Sequence, residues 1–254
     1  MTFPARVVLA TIVLGCVCPG LQAQTVVELG PPGGLLTAQQ VAAKMEEKNR
    51  ERVVALREFE GSRVYHLEYH GPGGAKDAEM KVEMNFRAPD VKNFTVTSQE
   101  GSKLIIEHVF KKLIESEREA LSEDNRRATQ LTSDNYEFAL LGREKAEDGD
   151  AYVLEVKPRT KNKFLYQGKI WVSATDFAVT RIEATPAKNP SFWVRKTQIN
   201  HQYVKVGDFW LPAQNRTESQ IQFGGRAILT VDYMNYRILS AAPLEASSQA
   251  GNSW

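Results

Sequence analysis

Between residues 135 and 238 apolar and polar side chains alternate in one short run after another, with almost no helical spacing between them. In the run 193–203, Trp193, Ile199 and Tyr203 fall on one face, and Lys196, Gln198, Asn200 and Gln202 on the other. Successive strand side chains point to opposite faces, so this pattern predicts a sheet with one packed and one wetted side. The runs 164–173, 177–184 and 227–238 repeat it, with turns expected at 147–150, 160–163, 187–190, 206–208 and 224–225.

The first half of the chain mixes two periods. Thr37 followed by Gln40 reads as a capping box. The helix it opens carries Val41, Ala42, Met45, Val53, Leu56 and Phe59 at helical spacing and is expected to run to Gly61. Residues 63–70 read as a strand with Tyr65, Leu67 and Tyr69 on one face. After a turn at 71–74, Met80, Val82, Met84 and Phe86 alternate with Glu79, Lys81, Glu83 and Asn85. Two further strands are expected at 94–97 and 103–108. Residues 110–121 then place Phe110, Leu113, Ile114, Glu117, Ala120 and Leu121 at helical spacing. The predicted plan is α+β: helix, four strands, helix and about seven strands, some eleven strands in all.

The termini read differently from this block. Arg6 followed by the apolar stretch 7–17 has the form of a secretory signal, with cleavage expected after Ala23. Lipid attachment at Cys16 is the second reading, because Val13-Leu14-Gly15-Cys16 loosely resembles a lipobox. Residues 24–36 read as a flexible lead-in, 37–239 as one domain and 240–254 as a disordered tail. Both cysteines, Cys16 and Cys18, lie in the signal, so the expected mature chain forms no disulfide. Without Arg6 the chain carries 31 basic and 31 acidic residues, a balance that disfavours nucleic acid as a partner.

Candidate chemistry is sparse. His66 and His70 are four apart on a strand, about 13 Å, whereas two ligands of one zinc sit within about 4 Å, so no metal is expected. There is no nucleophile elbow, P-loop or dinucleotide fingerprint, so neither catalysis nor a cofactor is expected. Glu117 and Glu119 read as solvated helix surface. Asn93-Phe94-Thr95 and Asn215-Arg216-Thr217 read as chance matches to a glycosylation sequon.

Tyr152-Val153-Leu154-Glu155-Val156-Lys157-Pro158, Lys169-Ile170-Trp171-Val172, Val179-Thr180-Arg181-Ile182-Glu183 and Gly207-Asp208-Phe209-Trp210-Leu211-Pro212 are similar to strand and turn motifs of one family. It is the periplasmic outer-membrane lipoprotein-sorting carriers, the LolA-like superfamily, and the resemblance spans roughly residues 37–238. The resemblance implies an incomplete antiparallel β-barrel whose concave apolar face is lidded by two amphipathic helices and takes up acyl chains. It also implies a strand-borne basic residue that contributes to lid closure, for which the sequence offers no matched position. The expected lipid-binding residues are Met80, Val82, Met84, Phe86, Phe94, Ile170 and Val172. The expected lid residues are Val41, Met45, Leu56, Leu113 and Ile114. The expected ligand is a lipid or a lipoprotein acyl chain, bound by a monomer in the periplasm or after secretion. The alternative is an envelope interaction or sensor module with a side-chain-filled core and a protein partner.

Overall fold

The computed structural model describes residues 36–146, 149–188, 194–222 and 224–244. Ten strands form one curved, unclosed antiparallel sheet. In chain order they are β1 (Leu56–Gly71), β2 (Gly74–Arg87), β3 (Val91–Gly101), β4 (Tyr136–Ala146), β5 (Gly149–Pro158), β6 (Tyr166–Ser173), β7 (Val179–Pro186), β8 (Val194–Val206), β9 (Phe209–Ile221) and β10 (Arg226–Ala241). Their order across the sheet is β3-β2-β1-β10-β9-β8-β7-β6-β5-β4. This is the expected incomplete barrel, with β3 and β4 as its two free edges.

Helix α1 (Ala38–Ala55) opens with the expected capping box: the Gln40 amide donates to Thr37 Oγ1 at 3.2 Å, and the Thr37 amide to Gln40 Oε1 at 2.8 Å. It ends six residues before Gly61. Leu56 is already extended at φ −75°, ψ 112° and pairs with Ala241, while Phe59 pairs with Ile238 and Phe86. Ladder hydrogen bonds on both sides outcompete a helical continuation that would satisfy only one stripe of side chains.

Residues 103–108, expected as a strand, are helical. Helix α2 (Lys103–Ile105) leads into a π-helical stretch (Ile106–Phe110), then α3 (Lys111–Ala120) and α4 (Glu123–Thr129). Gly101, at φ +84°, ends β3, and Ile105 and Ile106 join the stripe of Phe110, Leu113 and Ile114 in one core. The loss of that strand accounts for ten strands where the pattern suggested eleven. Ser240 and Ala241, expected in the tail, extend β10 against β1. The expected signal segment, both cysteines, Trp193 and residues 245–254 lie outside the described residues.

The hairpin joining β8 to β9 turns at Gly207, whose φ of +60° costs glycine no Cβ clash. Gly168 on β6 is under tighter constraint. Its φ is +153°, and an added Cβ would sit 2.7 Å from Ala184 Cα and against the Glu183 carbonyl oxygen of β7. Gly168→Ala must push two strands apart, a cost of about 2 kcal/mol. The expected result is a melting temperature about 5 °C lower, read by thermal denaturation.

Candidate functional site

The helices divide the concave face into two covered halves. Over β4–β7, α1 places Val41 and Met45, both 0% exposed, in one cluster with Tyr136, Leu154, Val156, Ile170 and Val172. Over β1, β2 and β10, the stretch from α2 to α3 places Ile105, Ile106, Phe110, Leu113 and Ile114 in a cluster with Tyr65, Leu67, Met80, Val82, Leu229 and Val231. The expected lid residues Val41, Met45, Leu113 and Ile114 therefore face inward, each pair toward its own half. Leu56 does not belong to the lid: it starts β1 and packs beside Phe59, Met84, Phe86, Phe209 and Leu211 in a third cluster at one end of the strands. Phe94, half-buried, borders the second and third groups.

A buried ion cluster fastens α3 to the sheet. Glu117 of α3 receives two hydrogen bonds from Arg63 of β1, at 2.6 and 3.1 Å, and one from Lys92 of β3 at 2.7 Å. The Arg63 guanidinium lies between the Phe94 and Tyr233 rings, 5.2 and 4.9 Å from their centroids, and donates to Tyr65 Oη at 3.3 Å. Burial alone would raise the Glu117 carboxyl. The charges and hydrogen bonds of Arg63 and Lys92 outweigh it and hold the group at about 2. Burial opposes the charge on Arg63, and Glu117 more than offsets it, so Arg63 stays above its usual value.

Between the two covered halves runs a polar seam on β8 and β9, made of Thr197, His201, Asn215, Thr217 and Ser219, all buried. Thr217 Oγ1 donates to Asn215 Oδ1 at 3.0 Å, Asn215 Nδ2 lies 3.2 Å from His201 Nδ1, and the Thr197 and Ser219 hydroxyls pair at 3.1 Å. The His201 ring stacks on Tyr203 at 4.6 Å and faces Tyr233 at 6.3 Å. Burial, helped by the Arg63 charge, lowers His201 to about 4. Among the described residues, the buried side-chain atoms Arg63 Nε, Ser116 Oγ, Tyr166 Oη and His201 Nε2 find no hydrogen-bond partner.

Surface contacts pin α1. Glu46 accepts from the Ser133 amide and hydroxyl, both at 2.8 Å, and Arg52 donates to the Asp176 carbonyl. The Asp176 carboxylate accepts from Lys205 and Trp210 at 2.8 and 2.9 Å. A pocket between Arg57, Glu58, Arg87, Ala88, Pro89 and Ser240 opens at the strand ends, and none of the expected binding residues lines it.

Sequence reasoning placed Glu117 on a solvated surface, whereas it is 1% exposed; only Glu119 is exposed, paired with Lys163 at 2.7 Å. The signal was present, since Glu117 continues the apolar stripe of Phe110, Leu113 and Ile114. Arg63 likewise shares the parity of Tyr65 and Leu67, and His201 that of Ile199 and Tyr203. An ionisable residue in register with an apolar face is a buried one, and it then needs a partner. Asn215 and Thr217, read as a chance sequon, are part of the seam.

Two outcomes follow from these charges. Glu117→Leu strands the buried Arg63 and the partly buried Lys92 and is expected to cost about 3–5 kcal/mol, while Arg63→Met with Glu117→Leu recovers most of that loss. Urea unfolding of both variants checks the sign. For pH, His201 is neutral when folded and protonates when unfolded, so its stability contribution is lost as pH falls from about 6.5 to about 4. Glu117, depressed to about 2, contributes fully above about 4.5 and loses its contribution below that. Melting temperature is therefore expected to fall in two stages on acidification. In His201→Phe, scanned across the same pH range, the upper stage should disappear.

A family model described only as an uncharacterized protein matches residues 120–242, from the end of α3 through β10. No curated protein matches the chain. Among solved structures, a LolA superfamily protein from Nitrosomonas europaea is 12% identical, covering 82% of this chain and 96% of its own, with a TM-score of 0.36. A DUF1329 family protein from Desulfovibrio piger is 16% identical, covering 78% and 92%, with a TM-score of 0.39. A domain named for outer-membrane lipoprotein sorting, from Vibrio parahaemolyticus, is 11% identical, covering 80% and 93%, also with a TM-score of 0.39. All three are distant likenesses, at 11–16% identity and TM-scores of 0.36–0.39.

Proposed function

We propose that this chain is a non-catalytic carrier that takes an acyl chain of a lipid or lipoprotein between its sheet and its helical lids. The observation that carries the reading is the manner in which the lid is held. The cover over β1, β2 and β10 is a helix interrupted by a π-helical stretch and fastened by three ionic side chains, Arg63, Lys92 and Glu117. A permanent core is held more cheaply by apolar packing, because desolvating charges offsets much of their attraction. A charge cluster suits a cover that closes in one defined position and lets go. Arg63 would then act as the strand-borne basic residue that holds the lid.

Under the lids, Met80 and Val82 on one side and Ile170 and Val172 on the other would form the acyl-contacting surface, with Met84, Phe86 and Phe94 at its border. Methionine adapts to irregular chains, and each buried methylene contributes about 0.8 kcal/mol, enough for about ten carbons to offset a modest opening cost. The proposed place of action is the periplasm after removal of residues 1–23, as a monomer. Among the described residues no helix is long and apolar enough to cross a membrane.

One observation favours the second reading, an interaction module: Met80, Ile170 and Val172 are 0% exposed beneath the protein's own helices. The two readings part in one experiment. A fluorescent fatty acid is added to the folded protein while hydrogen exchange is followed in α1 and α2–α3. For a carrier, the probe should bind at micromolar concentration and speed exchange in the helices at least several-fold, because the lids must lift. Native mass spectrometry of the envelope-purified protein should then find bound lipid. Absence of both binding and co-purified lipid would leave the interaction module.

A further inference from the structure

We propose that the polar seam on β8 and β9 is a subsite for a carbonyl oxygen, so that the ligand is an acyl ester or amide rather than a bare hydrocarbon chain. This rests on the acyl-carrier reading and adds the chemistry of the ligand's head. The sheet order places the seam where such a head would lie. One apolar cluster rests on β1, β2 and β10, the other on β4–β7, and β8 and β9 run between them. A chain lying under either lid brings its polar end to the strip that neither apolar cluster occupies.

The seam's hydrogen bonds determine what it offers. The Thr217 hydroxyl donates to Asn215 Oδ1, which orients the Asn215 amide so that its NH₂ faces His201 Nδ1. Nδ1 therefore accepts, and a neutral imidazole must carry its proton on Nε2. Burial keeps the ring neutral. The result is an N–H donor on a side chain 1% exposed, with no acceptor among the described residues. Such a group costs free energy unless it is filled. Stacking between Tyr203 and Tyr233 fixes the ring plane and hence the direction of that donor. The Thr197 and Ser219 hydroxyls bond each other, so His201 Nε2 is the seam's one buried side-chain atom left without a partner among the described residues. An uncharged carbonyl suits it, because a neutral donor does not compensate the desolvation of a carboxylate.

The test compares methyl decanoate with dodecane as displacers of a hydrophobic dye, each expressed relative to its aqueous solubility. The wild-type protein should prefer the ester by about tenfold, the contribution of one buried hydrogen bond. His201→Phe with Asn215→Leu keeps the ring stack and leaves no stranded amide; it should bind dodecane as before and lose the ester preference. Equal displacement in the wild type, or an undiminished preference in the variant, overturns the proposal and leaves a water-filled seam. Should the variant not fold, ¹⁵N-histidine spectra of the wild type decide instead. The His201 Nε2–H resonance should move with methyl decanoate and stay with dodecane, and a resonance unmoved by both rejects the subsite. Failure of both compounds to displace the dye would instead remove the carrier reading itself.

Discussion

The pairing of β1 with β10 is the constraint from which the rest of the architecture follows. It joins the first strand to the last along almost their whole length, from Leu56 opposite Ala241 to His70 opposite Arg226. Once those strands are neighbours, the order of the others leaves β3 and β4 at opposite edges of the sheet. Consecutive in sequence yet most distant in the sheet, they must be connected across the concave side. The segment from α2 to α4 makes that connection, so the lid over one half of the interior is a product of topology as much as of apolar patterning.

What the connection carries is unusual for a hydrophobic cover. Arg63, Lys92 and Glu117 contribute an attraction large enough to define a position but costly to desolvate, a balance that favours specificity over net stability. The seam has the same character at lower charge. Asn215, Thr217 and His201 form a directed chain of hydrogen bonds whose final donor is left open. Two apolar regions with a polar boundary give the interior a longitudinal sense that a uniformly apolar half-barrel lacks.

Most of the sheet was legible in the sequence because period-two alternation reports which side of a strand is packed, and that side is packed here whatever covers it. Met80, Val82 and Met84 are buried on one face as their spacing indicates. Periodicity failed where two periods fit the same letters. Residues 103–108 could alternate or coil, and Ile105 and Ile106 coil because Phe110, Leu113 and Ile114 continue their stripe. Leu56 and Phe59 fit the α1 stripe, yet strand partners on both sides claim them. The functional polar groups were missed for a different reason. Arg63, Glu117 and His201 stand in the apolar register, but a single chain read linearly does not show that Arg63 on β1 meets Glu117 on α3, or that Arg63 and His201 on β8 both face Tyr233.

The π-helical stretch of residues 106–110 has a geometric consequence for that meeting. A π turn holds one residue more than an α turn, and each residue of an α-helix advances the side-chain direction by about 100°. Everything after Phe110 is therefore rephased by roughly that angle relative to a regular helix begun at Lys103. Inward-facing residues nonetheless lie on both sides of that shift, Ile105 and Ile106 at its start and Leu113, Ile114 and Glu117 beyond it. The segment thus keeps one buried face across a change of helical pitch, and the carboxylate that neutralises Arg63 stands on the far side of it.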